Sequence, residues 1–598
     1  MKPGSPYDAV ESIPPLKGLV TAYPSNRIDP AYSPALKNVI IRDGVVKRRA
    51  GGNQLGRQLV GRVMGITEFG LIGGTPYTVA LTSHRQYIYD PTDQDWIDLT
   101  PGQTSYTITA VTVLSKLFKI AGDHVTDFPV GRLIPVIDGA NEGVYTVVSA
   151  TLNAGNTDIV VDETVPSAVV AGAIVIADDF DTAVDGWISY VLATDAENHQ
   201  LLITNGLDAP RSWDGDPSND FLDWVPEFED FVTCREFEIF NEHLFMGDIT
   251  TLGGREPSLI AWSDAGDFDE FEAGAAGAQL LYQLSEIVSL RVLGDRLGVY
   301  SHDAIVTGIN VGPPAIFAFE TVIPQGTRYA SSKGITSINV GHLYVAEENF
   351  YLFDGTRGLR VLTDAVWNHY KNSKDQSLIH EVCVLNDYSK RTLYFAFPDL
   401  EGRTSVLTVF YDAFDLGNLV WSSERYLDKV SCWGFFVNRD EELFWEDASW
   451  ETPNTKWEDE LGLWAEEGEQ LNFPIRAYGT PEGRVLIATE GAISDRGTVP
   501  LQSYSTKDFS MPNVGESIFT RWGEIEFEAW GTQVNVLVSL DKGHTNKGVE
   551  TVALTSTPEW YRLPIDYNSR TIRGVFVSSG NEYSIRSVRF WGTPGGPE

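Results

Sequence analysis

Sulfur is scarce in this chain. Among 598 residues there are three cysteines and four methionines. Cys234, Cys383 and Cys432 are odd in number and lie far apart in strand-like contexts. They read as buried thiols rather than as a disulfide framework or a metal site. Long apolar runs are also missing. The longest, about Ala168–Ala177, is too short to cross a bilayer as a helix. No charged n-region with an apolar h-region follows Met1-Lys2-Pro3-Gly4, so export by a signal peptide is not expected and folding in a cytoplasm is. Long amphipathic helical patterns are absent, with short candidates such as Asp364–Asn372 the exception.

Positive charge is the next deficit. Forty-four Lys and Arg stand against 83 Asp and Glu, a formal net charge of −39. Such a surface repels phosphate, and specific nucleic-acid binding needs clustered Lys/Arg that displace counterions. An acidic wall remains compatible with DNA that passes without sticking, and acidity also serves plain solubility.

Motifs that carry chemistry are missing too. The nine histidines never fall at metal-ligand spacing, and there is no HExxH, GxSxG, GxxxxGK[ST] or CxxC. Asp541-Lys542-Gly543-His544 lacks the further spaced carboxylates of a calcium loop and reads as a hairpin turn. Nothing singles out a pair among the 83 acids for glycoside hydrolysis. No catalytic, cofactor-binding or metal-binding residue is expected, and the chain reads as a non-enzyme.

What is abundant is turn and strand material: 55 Gly and 30 Pro, with 16 Trp, 24 Tyr and 29 Phe. An aromatic–aspartate signature recurs through it, in Tyr89-Asp90, Trp213-Asp214, Trp262-Ser263-Asp264, Phe353-Asp354 and Tyr411-Asp412. Asp214 and Asp264 are 50 residues apart, and Asp354 and Asp412 are 58 apart. The 90 residues from Asp264 to Asp354 leave room for one unit whose signature has drifted. The 124 from Asp90 to Asp214 fall to 48 once the 76 residues of 105–180 are set aside. That block has few aromatics and many Val, Ile, Ala, Thr and Gly, and reads as a small inserted β-barrel or sandwich. A recurrence near 50 residues is that of a β-propeller blade of four short strands. Each aspartate suits a turn, where its carboxylate accepts backbone N–H groups two residues on, and each aromatic suits the apolar surface between neighbouring blades.

The expected fold is therefore all-β: a propeller of about seven blades, an inserted β domain and a C-terminal β-sandwich. The expected order is 1–60 as an N-terminal docking segment and hairpin, 61–104 as the first blade, 105–180 as the insertion, 181–500 as the remaining blades and 501–598 as the sandwich. In the first segment Asp43-Gly44 between β-branched runs predicts a tight hairpin. Lys47, Arg48 and Arg49 after it form the densest basic cluster of an acidic chain, and at least one is expected to pair with carboxylates across a blade or subunit boundary. A finer repeat of Trp with acids runs through Trp445, Trp450, Trp457 and Trp464. Such rings can stack on sugars, but stapling successive turns of an irregular loop is the preferred reading.

Asn38-Val39-Ile40-Ile41-Arg42-Asp43-Gly44 with Arg48-Arg49-Ala50-Gly51 resembles the opening of tail nozzle proteins of short-tailed bacteriophages. Pro324-Gln325-Gly326-Thr327-Arg328-Tyr329-Ala330-Ser331-Ser332, then His342-Leu343-Tyr344-Val345-Ala346 and Phe350-Tyr351-Leu352-Phe353-Asp354-Gly355, resembles the same family's mid-propeller pattern. The chain departs at Gly326-Thr327, where that pattern has a cysteine after the glycine. The resemblance implies a structural virion protein assembled in the host cytoplasm. It further implies a homohexameric ring at the distal end of the genome-ejection conduit, with an adaptor or head–tail connector protein and tail fibres as partners. DNA would be only a passing, repelled polymer. The alternative is a carbohydrate-binding propeller or glycan depolymerase of a phage or cell surface, for which the Trp/acid repeat is the best support.

Overall fold

The computed structural model describes residues 8–595 apart from 13–16, 43, 72–73, 75, 181–187, 195–198, 324–330, 347–348, 362–363, 412–418, 438–473, 490–493, 497, 512–515 and 517–518. The protein is all-β. Its one α-helix among the described residues is Asp364–Ser373, where the sequence has its short helical pattern. The chain divides into two compact units. One comprises 1–53, 328–430 and 488–598, and the other 54–327 and 431–487.

The second unit is built from small antiparallel sheets of four strands laid side by side in chain order. The first sheet holds Val63–Phe69, Tyr77–Thr82, Gln86–Asp90 and Asp95–Asp98. The second holds Ser189–Thr194, His199–Thr204, Arg211–Trp213 and Leu222–Asp223. The third runs Phe231–Phe240, His243–Thr251, Gly254–Trp262 and Gly277–Leu280. The fourth runs Ser289–Leu293, Arg296–Tyr300, Ile305–Gly312 and Ile316–Ile323. A further sheet starts with Cys432–Phe436, Ile475–Gly479 and Val485–Thr489 and takes its fourth strand, Gly51–Leu55, from early in the chain. Neighbouring sheets meet through their first strands. Cys432–Phe436 packs by Val63–Phe69, and Val63–Phe69 by Ser189–Thr194. Ser189–Thr194 then packs by Phe231–Phe240, and Phe231–Phe240 by Ser289–Leu293. Broad apolar layers fill the spaces between sheets. One joins Phe69, Val79, Ile88, Leu201, Ile203 and Trp213, and another Phe245, Ile260, Trp262, Leu290, Val299 and Phe317.

Residues 104–176 form a closed six-stranded barrel within this unit. In order around it lie Thr104–Thr112, Leu117–Ala121, Asn156–Val161, Gly143–Asn153, Leu133–Ile137 and Ala173–Ile176. Alternating residues fill its interior, with Phe118, Ile120, Ile134, Val136, Ile159 and Ile174 all buried, as closure of a small barrel requires.

The first unit holds two more small sheets. One is Ile335–Ile338, Gly341–Val345, Phe350–Phe353 and Gly358–Arg360. The next is Cys383–Asp387, Thr392–Pro398, Thr404–Phe410 and Val420–Tyr426, extended by Gly18–Leu19 and Tyr32–Ser33. Here also the first strands, Ile335–Ile338 and Cys383–Asp387, are neighbours.

The C-terminal part is two larger sheets over one core. The first is ordered Glu559–Ser569, Thr520–Gly531, Tyr583–Pro594, Val45–Arg48, Val39–Arg42, with Asp8–Ser12 also paired to Tyr583–Pro594. The second is ordered Ala35–Lys37, Gln502–Ser505, Ile572–Ser578, Gln533–Leu540, Thr545–Ala553. Trp522, Ile525, Phe527, Val536, Val538, Phe576 and Phe590 are buried between them, and Phe527 meets Phe576 edge-on at 5.3 Å.

This layout corrects the division into 1–60 and 501–598. The early residues are not a separate docking segment, since their strands complete sheets made by three later parts of the chain. Residues 501–598 alone lack the strands at 35–37, 39–42 and 45–48. A β-strand satisfies its backbone only by pairing, and local sequence does not say with which distant strand. The 39–48 hairpin does form, with Arg42 opposite Val45 and Gly44 at φ 74°.

Candidate functional site

The four described aspartates of the recurrent signature occupy one structural position. Asp90, Asp214, Asp264 and Asp354 each end or follow the third strand of a small sheet. Asp90 accepts the Thr92 N–H at 2.8 Å, Asp214 that of Asp216 at 2.9 Å, and Asp264 that of Ala275 at 2.7 Å. Asp354 accepts the N–H groups of Thr356 and Arg357, both at 2.9 Å. Burial opposes ionisation of Asp354, but the bonds from Thr356 and Arg357 outweigh it and hold the carboxyl down to about 2. Asp412 itself lies outside the described residues. The fourth sheet carries no such signature, and its third strand ends at Gly312 with a cis Pro313-Pro314 turn. That is where the 90-residue gap left room for a drifted unit. Asp90, Asp214, Asp264 and Asp354 are turn-makers.

The basic cluster separates where its strand ends, since Lys47 and Arg48 belong to Val45–Arg48 and Arg49 follows it. Lys47 points to solvent and Arg48 is half-buried, whereas Arg49 is 2% exposed. Its guanidinium grips Asp495 through both Nη atoms and lies over the Tyr426 ring, 4.5 Å from the centroid. Its Nε donates to Asn38 Oδ1 at 3.3 Å. Burial works against the charge, yet Tyr426, Asp495 and Glu424 together raise the Arg49 pKa above its ordinary value. The pair joins two stretches of one chain 446 residues apart.

Trp445, Trp450, Trp457 and Trp464 lie outside the described residues. The three cysteines are buried and form no disulfide, and Asp541-Lys542-Gly543 forms the short connection between the strands Gln533–Leu540 and Thr545–Ala553. Among the described residues no group of three or more His, Cys, Asp or Glu is placed to hold a metal ion.

A charged cluster that sequence reading passed over lies on the first strands of the third and fourth sheets. Arg235-Glu236-Phe237-Glu238 belongs to Phe231–Phe240, and Arg291 to Ser289–Leu293. Arg291 Nη1 lies 3.6 Å from Glu236 and 3.8 Å from Glu238. Glu236 is 1% exposed, and burial, only partly countered by Arg291, pushes its carboxyl up to about 7. Burial also raises Glu238. The available signal was three charges within four residues of a strand that pattern alone assigns to a core. Behind them Asp248, fully buried, accepts Arg235 and Arg255, while Glu286 takes Arg255 at 2.9 Å and His302 at 3.1 Å.

A consequence for pH follows from Glu236. An acid whose folded pKa lies above its unfolded value near 4.5 stabilises the fold below about pH 4.5, and this is lost as pH rises through about 7. The swing is of order 3 kcal/mol. Glu236→Gln, which cannot ionise, is expected to flatten the dependence of urea-unfolding stability on pH between 5 and 8 and to raise stability at pH 8. A variant with the unaltered slope would show that Glu236 does not carry it.

No known family profile matches this chain, and no curated protein matches it. Among solved structures it is similar to a family 29 carbohydrate-binding module mutant complexed with cellulohexaose, at 19% identity and a TM-score of 0.13. That similarity covers 15% of this chain and 61% of the module. A second family 29 module is similar at 18% identity and a TM-score of 0.13, over 18% of this chain and 69% of the other. The chain thus spans 61% of the first of these modules and only a small part of itself is involved.

Proposed function

We propose that this chain is a tail nozzle protein of a short-tailed bacteriophage, a structural virion subunit whose small sheets are the blades of a seven-bladed β-propeller. The observation that carries the propeller is the meeting of successive sheets through their first strands, in chain order, within each unit. Radially arranged blades meet in this way around an axis. The sheet that takes its fourth strand, Gly51–Leu55, from the chain's early residues adds support, because a blade shared by strands from two ends of the sequence is how a propeller would close. The barrel at 104–176 then stands as an insertion between the first and second blades.

The nozzle role rests on the sequence resemblance together with the net charge of −39. A conduit for DNA works best when its wall offers the polyanion no counterion-releasing contacts. Six copies in a homohexameric ring, joined to an adaptor, would present a strongly acidic passage. Negative-stain microscopy of the purified chain, alone and with the adaptor protein of the same virion, is expected to show six-fold rings. The free chain is expected to leave the anisotropy of a labelled DNA duplex unchanged at physiological salt. Micromolar, salt-sensitive DNA binding, or rings with a basic bore, would overturn the conduit reading.

A further inference from the structure

The outward face of one C-terminal sheet carries an arrangement that neither the nozzle role nor the fold requires. In the strands Glu559–Ser569, Thr520–Gly531 and Tyr583–Pro594, alternate residues Ile525, Phe527, Ala529, Leu563, Ile565, Val588 and Phe590 go to the core. Their neighbours face away in three cross-strand rows. The first row is Trp560, Glu528 and Ser587, the second Arg562, Glu526 and Arg589, and the third Pro564, Glu524 and Trp591.

Arginine, glutamate and indole are interleaved on this face. Arg562 Nη2 donates to Glu526 at 3.0 Å and Arg586 Nη1 to Glu528 at 3.1 Å. Arg589 Nη1 lies 3.7 Å from the other Glu526 oxygen. The Arg589 guanidinium is 4.2 Å from the Trp560 ring centroid and that of Arg562 is 5.8 Å from the Trp591 centroid. Trp560 nevertheless remains 43% exposed. In a chain of net charge −39, each of the three arginines here meets a glutamate.

We propose that this face is a binding site for a neutral oligosaccharide. A pyranose has an apolar C–H face that stacks on an exposed indole, and hydroxyls that both donate and accept. Exposed Trp560 supplies the main stacking surface and half-buried Trp591 a second edge, with the glutamates as acceptors and the arginines, each fixed by a carboxylate, as directed donors. From Trp560 to Trp591 is two strand spacings across and four residues along, a diagonal of about 16 Å. That suits several sugar units in a row rather than a monosaccharide. Charge complementarity selects the occupant. Each arginine already has its carboxylate, so a polyanion would gain little and would face the three glutamates, whereas an uncharged ligand desolvates no unpaired charge.

The test is affinity electrophoresis of the full chain through gels containing dextran, mannan or hydroxyethylcellulose, with alginate and heparin as anionic comparisons. Retardation is expected in at least one neutral polysaccharide and not in the anionic ones. Trp560→Ala should weaken it by about tenfold, and Trp560→Phe should restore most of it, with unchanged circular dichroism and melting for both. Failure of every neutral polysaccharide to retard the chain would overturn the site, as would equal retardation of Trp560→Ala or preferential retardation by heparin or alginate. A sedimentation shift from oligomer to monomer in Trp560→Ala would overturn it too, by making the face a contact between copies. None of these outcomes depends on whether the chain forms a six-fold ring.

Discussion

Arg49→Ala is expected to destabilise the unit formed by residues 1–53, 328–430 and 488–598 by about 3–5 kcal/mol, because it strands a buried carboxylate. Asp495 is as buried as its partner, with 1% of each side chain exposed, and it also accepts the Gly52 N–H at 3.2 Å. Arg49 Nη1 donates to the Ala50 carbonyl at 2.8 Å and Nη2 to that of Arg425 at 3.3 Å. Asn38, in the left-handed region at φ 55°, binds the Arg425 N–H and the Leu501 carbonyl, both at 2.8 Å. One guanidinium thus ties the early strand region to Arg425 and Asp495, which lie 376 and 446 residues further along the chain. Asp495→Asn should cost a comparable amount, and the double substitution less than the two together, since the pair is coupled. Arg49→Met with Asp495→Leu should recover much of the loss, because a buried ion pair is stabilising mainly against its own half-removal. Denaturant unfolding followed by tryptophan fluorescence checks this on the transition of that unit. An Arg49→Ala protein that unfolds with the parent's midpoint would refute it.

Sequence and structure meet closely at the level of the hairpin and part at the level of sheet membership. Tyr89-Asp90 and Phe353-Asp354 are legible because both signals are local: the aromatic sits on the third strand and the carboxylate accepts N–H groups two or three residues on. The barrel at 104–176 is legible because its composition changes at its borders and its interior alternates. What could not be read is which partner an early strand takes. Val45–Arg48 pairs with Tyr583–Pro594, and Ala35–Lys37 with Gln502–Ser505, by backbone bonds that carry no sequence label. The basic cluster shows the same limit at the level of side chains. Its charge was visible, but only the distant Asp495 shows why Arg49 is buried while Lys47 is exposed. Glu236 and Arg291 stayed hidden because two charges on different strands announce a pair only when the sheets carrying them are adjacent. The outward face of Trp560 and Trp591 was hidden likewise, since its rows are assembled from three strands.

Arg85→Ala is the other substitution expected to have a large effect, and it acts on the barrel. The chain enters and leaves that domain side by side, with the Asp178 N–H bound to the Pro101 carbonyl at 2.9 Å. Arg85, on the first sheet and fully buried, donates to Asp179 at 2.5 Å, to Asp98 at 3.0 Å and to the Val175 carbonyl at 3.2 Å. Arg132, from inside the barrel domain, reaches the same Asp179 at 3.0 Å and the Ala177 carbonyl at 2.7 Å. Arg211, on the second sheet, holds the Asp178 carbonyl at 2.8 Å and lies 4.2 Å over Phe180. Three guanidiniums from three elements therefore converge on residues 175–180, and Arg85 is the most buried of them. Its removal leaves Asp179 and Asp98 short of a partner in a desolvated place, at a cost of about 3–5 kcal/mol. Arg85→Lys should recover only part of this, because one ammonium cannot replace a fork that reaches two carboxylates and a carbonyl. The barrel has its own core of Phe118, Ile134, Tyr145 and Ile159, so it should stay folded while its attachment loosens. Limited proteolysis is then expected to cut Arg85→Ala near 101–104 and 177–180 and release a resistant fragment of the barrel, while the parent chain resists at both places. Equal resistance of parent and variant at these joints would mean that the barrel is held by other contacts.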